Sequence, residues 1–213
     1  MSSPSVREQQ TRGVWSVPRD WPGATVVCLA TGPSLTQADV DLVRGGGRRV
    51  IAINDAYRLA PWADVLYACD GSWWQAHDGV PGFRGMKIST TKNAKQWGLC
   101  VELGADEGLS LDPTTLCHGG NSGYQAVNLA VLFGAARILL LGYDCKPDPE
   151  GKTHFFGVHR HNPVAPPFAI FAMHWPSIVA PLRAAGVEIW NCTRSTALTC
   201  FPRVSLEEAL AWM

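Results

Sequence analysis

The stretch VVCLATGPSL, Val26 to Leu35, begins as a buried strand and breaks into conformationally special residues. An apolar run ending in Thr31-Gly32-Pro33-Ser34, with helix-forming sequence directly behind, is a strand-to-helix junction. It admits two uses. Gly-Pro-Ser can make only a tight turn and cap. Alternatively the turn is a cradle of backbone amides for an anion, with Gly32 allowing close approach and Ser34 donating hydroxyl and amide.

Further apolar runs follow: VIAIN (50–54), VLYAC (65–69), RILLLG (137–142) and VEIWN (187–191). Continuous Val/Ile/Leu runs, rather than alternation, suit strands covered on both faces. Between the first two strands, TQADVDLVRGGG predicts a helix capped by Thr36 and Asp39 and closed by glycines. GYQAVNLAVLF (123–133) is apolar nearly all round and predicts a buried helix. FAMHWPSIVAPLRAAG (171–186) predicts one helix with Pro176 near its first turn, and Ser205 with Glu208 caps a last one. Alternating strands and helices predict an α/β fold with a doubly wound, mostly parallel, Rossmann-like sheet.

In such sheets the strands' carboxyl ends share one crevice. Asn54 and Asp55 follow the second strand and Asp70 the third, so they are expected to meet the Thr31–Ser34 turn. HGGNSGYQAV places Asn121, Ser122 and Gly123 at the start of the buried helix, a second glycine-rich N-terminus suited to an anion or a hydrogen-bonding ring. No G-K-[ST] follows, so it is not a Walker A loop, and the G-x-G-x-x-G fingerprint is missing. Residues 143–168, rich in Pro, His and Gly, read as a lid-like loop directly behind the fourth strand. Trp73-Trp74 offers a stacking wall for a base or sugar, or packs in the core.

The motif order ATGPSL, AINDAYRLAPWADVLYACD and GGNSGYQAVNLAVLFGAARILLLGYD resembles that of family-42 bacterial sialyltransferases. It also resembles hydroxymethylpterin pyrophosphokinase-like proteins and short phage and prophage proteins, these last over about residues 22–210. The resemblance implies a variant glycosyltransferase-A fold. It implies cytidine-nucleotide contacts on Thr31, Gly32, Ser34, Asn54, Ser122 and Gly123, and a role for Tyr143 and Asp144 toward phosphate or acceptor. It further implies catalysis without a metal-binding D-x-D motif. The one D-x-D here, Asp39-Val40-Asp41, lies inside the first helix and reads as a solvated face.

The family's general base is a histidine in the lid region before the last long helix. His174 fits that position best and His154 is the substitute, while packing beside Trp175 is the competing role for His174. His154, His159 and His161 also cluster, a weak zinc pattern without a nearby Cys or Glu.

The chain as a whole sets bounds. Its 213 residues suit one domain, expected over 21–213, with 1–20 a loosely attached polar arm lacking the hydrophobic segment of a signal peptide. No run is long enough to span a bilayer. The seven cysteines form no C-x-x-C pair and read as reduced thiols, so a cytoplasmic location (the host's, if phage-encoded) is expected. Zero formal net charge excludes a general nucleic-acid footprint, though not local binding of phage DNA. The basic cluster Arg44, Arg48 and Arg49 complements a helix end.

The expectation is a metal-independent, nucleotide-sugar-dependent glycosyltransferase acting on an unknown acceptor, a modified DNA base or a glycan, with no cofactor. The alternatives are a pyrophosphokinase-like transferase using ATP and Mg²⁺, for which Asp55, Asp70 and Asp144 are the carboxylates, and a non-catalytic nucleotide- or sugar-binding protein.

Overall fold

The computed structural model describes residues 15–158, 164 and 166–212. In chain order the strands are β1 (Thr25–Leu29), β2 (Arg49–Ile53), β3 (Val65–Tyr67), β4 (Met86–Ser89), β5 (Leu99–Cys100), β6 (Glu102–Leu103), β7 (Thr115–Leu116), β8 (Arg137–Leu141) and β9 (Glu188–Asn191). The helices are α1 (Gln37–Val43), α2 (Gly71–Ala76), α3 (Ser122–Phe133), α4 (Phe168–His174), α5 (Pro176–Ala184) and α6 (Leu206–Ala211). Seven strands form one sheet in the order β5-β4-β3-β2-β1-β8-β9. All its pairings are parallel. β6 and β7 make a separate small sheet.

The unbroken apolar runs follow from a core on each face of the sheet. Val26, Cys28, Ile51, Ile53 and Leu140 point to one side, against α3 and α5. Val27, Leu29, Val50, Ala52 and Leu141 point to the other, against α1, α2 and α6. Alternate residues therefore serve opposite layers. α3 is buried at every position, as a helix apolar all round must be. Capping boxes open α1 at Thr36 and α6 at Ser205, each satisfying orphan amides.

Two expectations are corrected and two strands are added. Residues 15–20 belong to the body rather than to a loose arm. Trp15 and Val17 are buried, Val17 donates to the Pro113 carbonyl, and Trp21 just beyond stacks on Phe133 at 4.0 Å. Residues 1–14 lie outside the described part. The predicted helix over 171–186 is two helices meeting at Trp175, because Pro176 has no amide proton to continue the hydrogen-bond ladder and serves as the first residue of α5. β4 and β5 extend the sheet unpredicted. β5 has only two residues and β4 buries only Ile88 and Ser89, too little to leave a pattern.

No described helix is long and apolar enough to cross a membrane.

Candidate functional site

The sheet reverses direction of growth between β1 and β8: the chain leaves β1 for β2 on one side, and β8 enters on the other. Beyond the carboxyl ends at this switch point lies a cavity of about 430 Å³. Thr31 and Gly32 after β1, Asn54 after β2, Asp70 after β3 and Tyr143 and Asp144 after β8 all line it. So do Asn121, Ser122 and Gly123 at the start of α3, and His154 from the long loop. Residues far apart in sequence thus meet as parallel topology requires.

Gly32 has a reason within the protein. Its amide donates to the Gly142 carbonyl at 2.8 Å, and a Cβ at this position would collide with the Asp144 carboxylate and that carbonyl. The bare glycine lets the ends of β1 and β8 close on each other. The predicted approach of a ligand is therefore not what demands it. Pro33 and Ser34 stand outside the cavity lining. The Ser34 amide donates to Asp144 Oδ2 at 3.0 Å, which leaves Asp144 Oδ1 buried without a partner among the described residues. Burial pushes the Asp144 carboxyl above the usual range, opposed by hydrogen bonding from Ser34.

Asn54 opens a 3-10 turn with φ at 50°, a left-handed conformation rarely taken by residues other than glycine. Its Oδ1 is also buried without a partner among the described residues. Strain and an unpaired oxygen at one strand end mark a position held for something other than stability. Asp55 is turned away. It accepts from Trp73 Nε1 at 2.9 Å and lies 3.2 Å from His77 Nε2, so it fixes the Trp73 ring instead of touching the cavity. Both tryptophans pack in the core, Trp73 at 2% exposed with an edge on the cavity lining and Trp74 donating to the Ala68 carbonyl.

At the start of α3 the side chains are structural. Asn121 Oδ1 accepts from the Tyr124 amide at 2.9 Å as the N-cap. Ser122 Oγ accepts from the Cys69 amide at 3.2 Å and donates to its sulfur at 3.1 Å. Tyr143 donates its hydroxyl to the Gly123 carbonyl, and burial pushes that phenol well above the usual range. These contacts hold the helix start rigid. Its first amides, on Ser122 and Gly123, have no acceptor within the helix, and both residues line the cavity at the positive end of the helix dipole.

His154 and His174 part company. His154 Nδ1 lies 2.9 Å from Thr31 Oγ1, and its ring stacks on Phe156 at 5.1 Å. The neighbouring Phe155 donates its amide to the Thr31 carbonyl, so this part of the long loop is docked on the β1 turn. His174 is outside the lining; its Nδ1 meets Glu107 Oε1 at 2.8 Å. It ends α4 beside Phe171 and against the cavity-lining Gly120, where a Cβ would come within 3.0 Å of His174 Cδ2, with its Nδ1 engaged by Glu107.

His159 and His161 lie outside the described residues, among which no group of three or more His, Cys, Asp or Glu could hold a metal. Asp39 is buried in the α1 cap and paired with Arg194 at 2.6 Å, so only Asp41 is the solvated residue expected of that D-x-D. Cys69 and Cys145 line the cavity, but burial pushes both thiols up to about 12, which keeps them protonated and poor nucleophiles.

The opposite wall escaped the sequence reading. Phe168, Phe171 and Trp175 line it, together with Pro166 and Pro167. Their spacing of three and four residues, behind two prolines, was a visible helical stripe.

No family model, curated protein or solved structure matches this chain.

Proposed function

We propose that the protein is a nucleotide-sugar-dependent glycosyltransferase whose nucleotide lies across the β1–β8 switch point. The observation carrying this reading is the pair of buried oxygens without a partner among the described residues, Asn54 Oδ1 and Asp144 Oδ1, on strand ends flanking β1. Each unpaired acceptor costs roughly 1–3 kcal/mol, which a ligand with donors at both places would recover. Neighbouring strands lie about 4.8 Å apart, so the ends of β2 and β8 are about 10 Å apart, a span suited to a nucleoside rather than a lone phosphate. Its phosphate faces the Ser122 and Gly123 amides, where a helix N-terminus favours an anion.

The sugar transfer is supported by the motif order. The acceptor oxygen attacks the anomeric carbon, the bond from that carbon to the phosphate oxygen breaks, and the nucleotide leaves with the electron pair. The α3 amides stabilise the charge on the leaving phosphate. With Nδ1–H of His154 donating to Thr31 Oγ1, its Nε2 carries the lone pair that takes the acceptor proton.

One observation favours a second reading. Asp70 and Asp144 both line the cavity, as Mg²⁺-ATP pyrophosphoryl transfer would need. Thermal shift with CMP, UDP, GDP and ATP, each with and without Mg²⁺, separates the two. A ligand at ~100 times its dissociation constant adds ~2.7 kcal/mol. A metal-independent shift with a pyrimidine or guanine nucleotide, followed by turnover of its sugar conjugate, supports the first reading. A shift confined to Mg²⁺-ATP replaces it with the second.

A further inference from the structure

We propose that Glu107 is a positioning residue that seats α4 over the cavity through His174. None of the seven residues of α4 is buried. An isolated helix needs about 12–15 residues to be even marginally stable in water, so α4 stays in place only through what ties it down. At its carboxyl end it runs into Trp175, which is 1% exposed and packs against Tyr124 and Phe201. Among the described residues its side-chain hydrogen bond to the body is the contact of His174 Nδ1 with Glu107 Oε1 at 2.8 Å.

Glu107 is a firm anchor because its loop is fixed to α3. The Tyr124 hydroxyl donates to the Gly108 carbonyl and accepts from the Gly108 amide, both at 2.8 Å. The Asn128 side chain accepts from the Ser110 amide at 3.0 Å. Next to it the Gly119 amide donates to the Asp106 carbonyl, so the same loop also braces the glycine-rich turn. Gly120 leaves the path for His174 open: a Cβ there would come within 3.0 Å of His174 Cδ2. Phe168 and Phe171 ride on α4 and line the cavity, so seating this helix sets whether the apolar wall is closed.

The strength of the tie suits a part that must move. The His174 and Glu107 side chains are 24% and 52% exposed. A polar side-chain contact that open shifts an equilibrium by about fivefold at most. Such a latch biases the helix toward the cavity without locking it there.

Hydrogen exchange of the full-length chain tests this without any nucleotide, so the result is decided apart from the nucleotide reading. Peptides covering 166–174 are compared in the wild type, Glu107→Ala, His174→Ala and the exchanged pair Glu107→His with His174→Glu. Binding of 8-anilinonaphthalene-1-sulfonate reports exposure of Phe168 and Phe171. Both single variants should exchange about three- to fivefold faster over 166–174, with higher dye fluorescence and unchanged exchange over 105–119. The exchanged pair should return toward wild type, which a loss of general stability would not allow. Wild-type exchange in both single variants, or an exchanged pair no better than the singles, overturns the proposal.

Discussion

The Ser34 amide donates to Asp144 Oδ2 at 3.0 Å, tying the turn after β1 to the turn after β8 at the point where the sheet reverses. The bond orients a carboxylate that is 2% exposed and leaves its other oxygen without a partner among the described residues. The residue that permits the closure is Gly32. Gly32→Ala inserts a methyl group into the Asp144 carboxylate and the Gly142 carbonyl, and so acts on folding before it acts on any ligand. Overpacking of this kind costs about 1–3 kcal/mol, and Gly32→Val should cost more. The expected result is a lower urea midpoint at unchanged slope. An unchanged midpoint would show that the β1 and β8 turns are not in contact.

Asp144 should give stability a pH dependence of unusual sign. Its carboxyl is raised by burial, so the native state holds its proton at pH values where the unfolded chain has lost it. Its favourable share is fully present below the ordinary value of 3.8 and disappears as pH rises through the raised value. Relative to Asp144→Asn, the wild type should therefore lose stability between acid and neutral pH. Urea unfolding of both proteins across that window measures it, and a difference growing in the opposite direction would mean the carboxylate is stabilised where it lies.

Asp39 should behave in the reverse way. Burial raises its carboxyl, but hydrogen bonds from Arg194 and Thr36 outweigh this and hold it below the usual range. That contribution is present above the unfolded value and is lost as pH falls through the lowered one. Asp39→Asn should lower the urea midpoint at neutral pH through the lost charge on the Arg194 and Thr36 hydrogen bonds, and the penalty should shrink in acid.

The fold was largely legible because each strand serves two layers. Val26 and Val27 face opposite cores, and only unbroken apolar runs can do that. The convergence of Thr31, Asn54 and Asp70 followed from parallel topology alone, and that of Ser122 from the motif order. What each side chain does there was not legible. Gly32 and Ser122 look identical in sequence whether they meet a ligand or, as here, Asp144 and Cys69. Asp55 was misplaced because a single residue beyond Asn54 turns the side chain toward Trp73. The break at Trp175 is written locally in Pro176, but the contact of His174 with Glu107, 67 residues away, depends on tertiary packing.

Asn54 offers a separation of stability from binding. Asn54→Gly removes both a left-handed asparagine and a buried unpaired oxygen. Stability should hold or rise, because the lost features are costs in the unliganded protein. Nucleotide affinity should fall by about tenfold, the worth of one good hydrogen bond near 1.4 kcal/mol. A variant that is less stable yet binds as tightly would show that Asn54 serves the turn and not the ligand.

His154 carries the last prediction, since it is the described histidine whose ring lies both in the cavity and against the β1 turn. As a general base it should be worth about 100-fold or more in turnover, so His154→Ala should lose that much while nucleotide binding survives. Thr31→Val tests how the ring is oriented. It removes the oxygen that Nδ1 meets at 2.9 Å but keeps the side-chain shape, and should lower kcat with little change in KM for the donor. His174→Ala should cost only a few fold, through looser seating of α4 and not through proton transfer. These outcomes are read as pH–rate profiles of sugar transfer with a nucleotide-sugar donor. An acid-side limb, the mark of a base that must be deprotonated, that persists in His154→Ala and vanishes in His174→Ala would reverse the assignment, because proton transfer would then belong to the histidine outside the cavity lining.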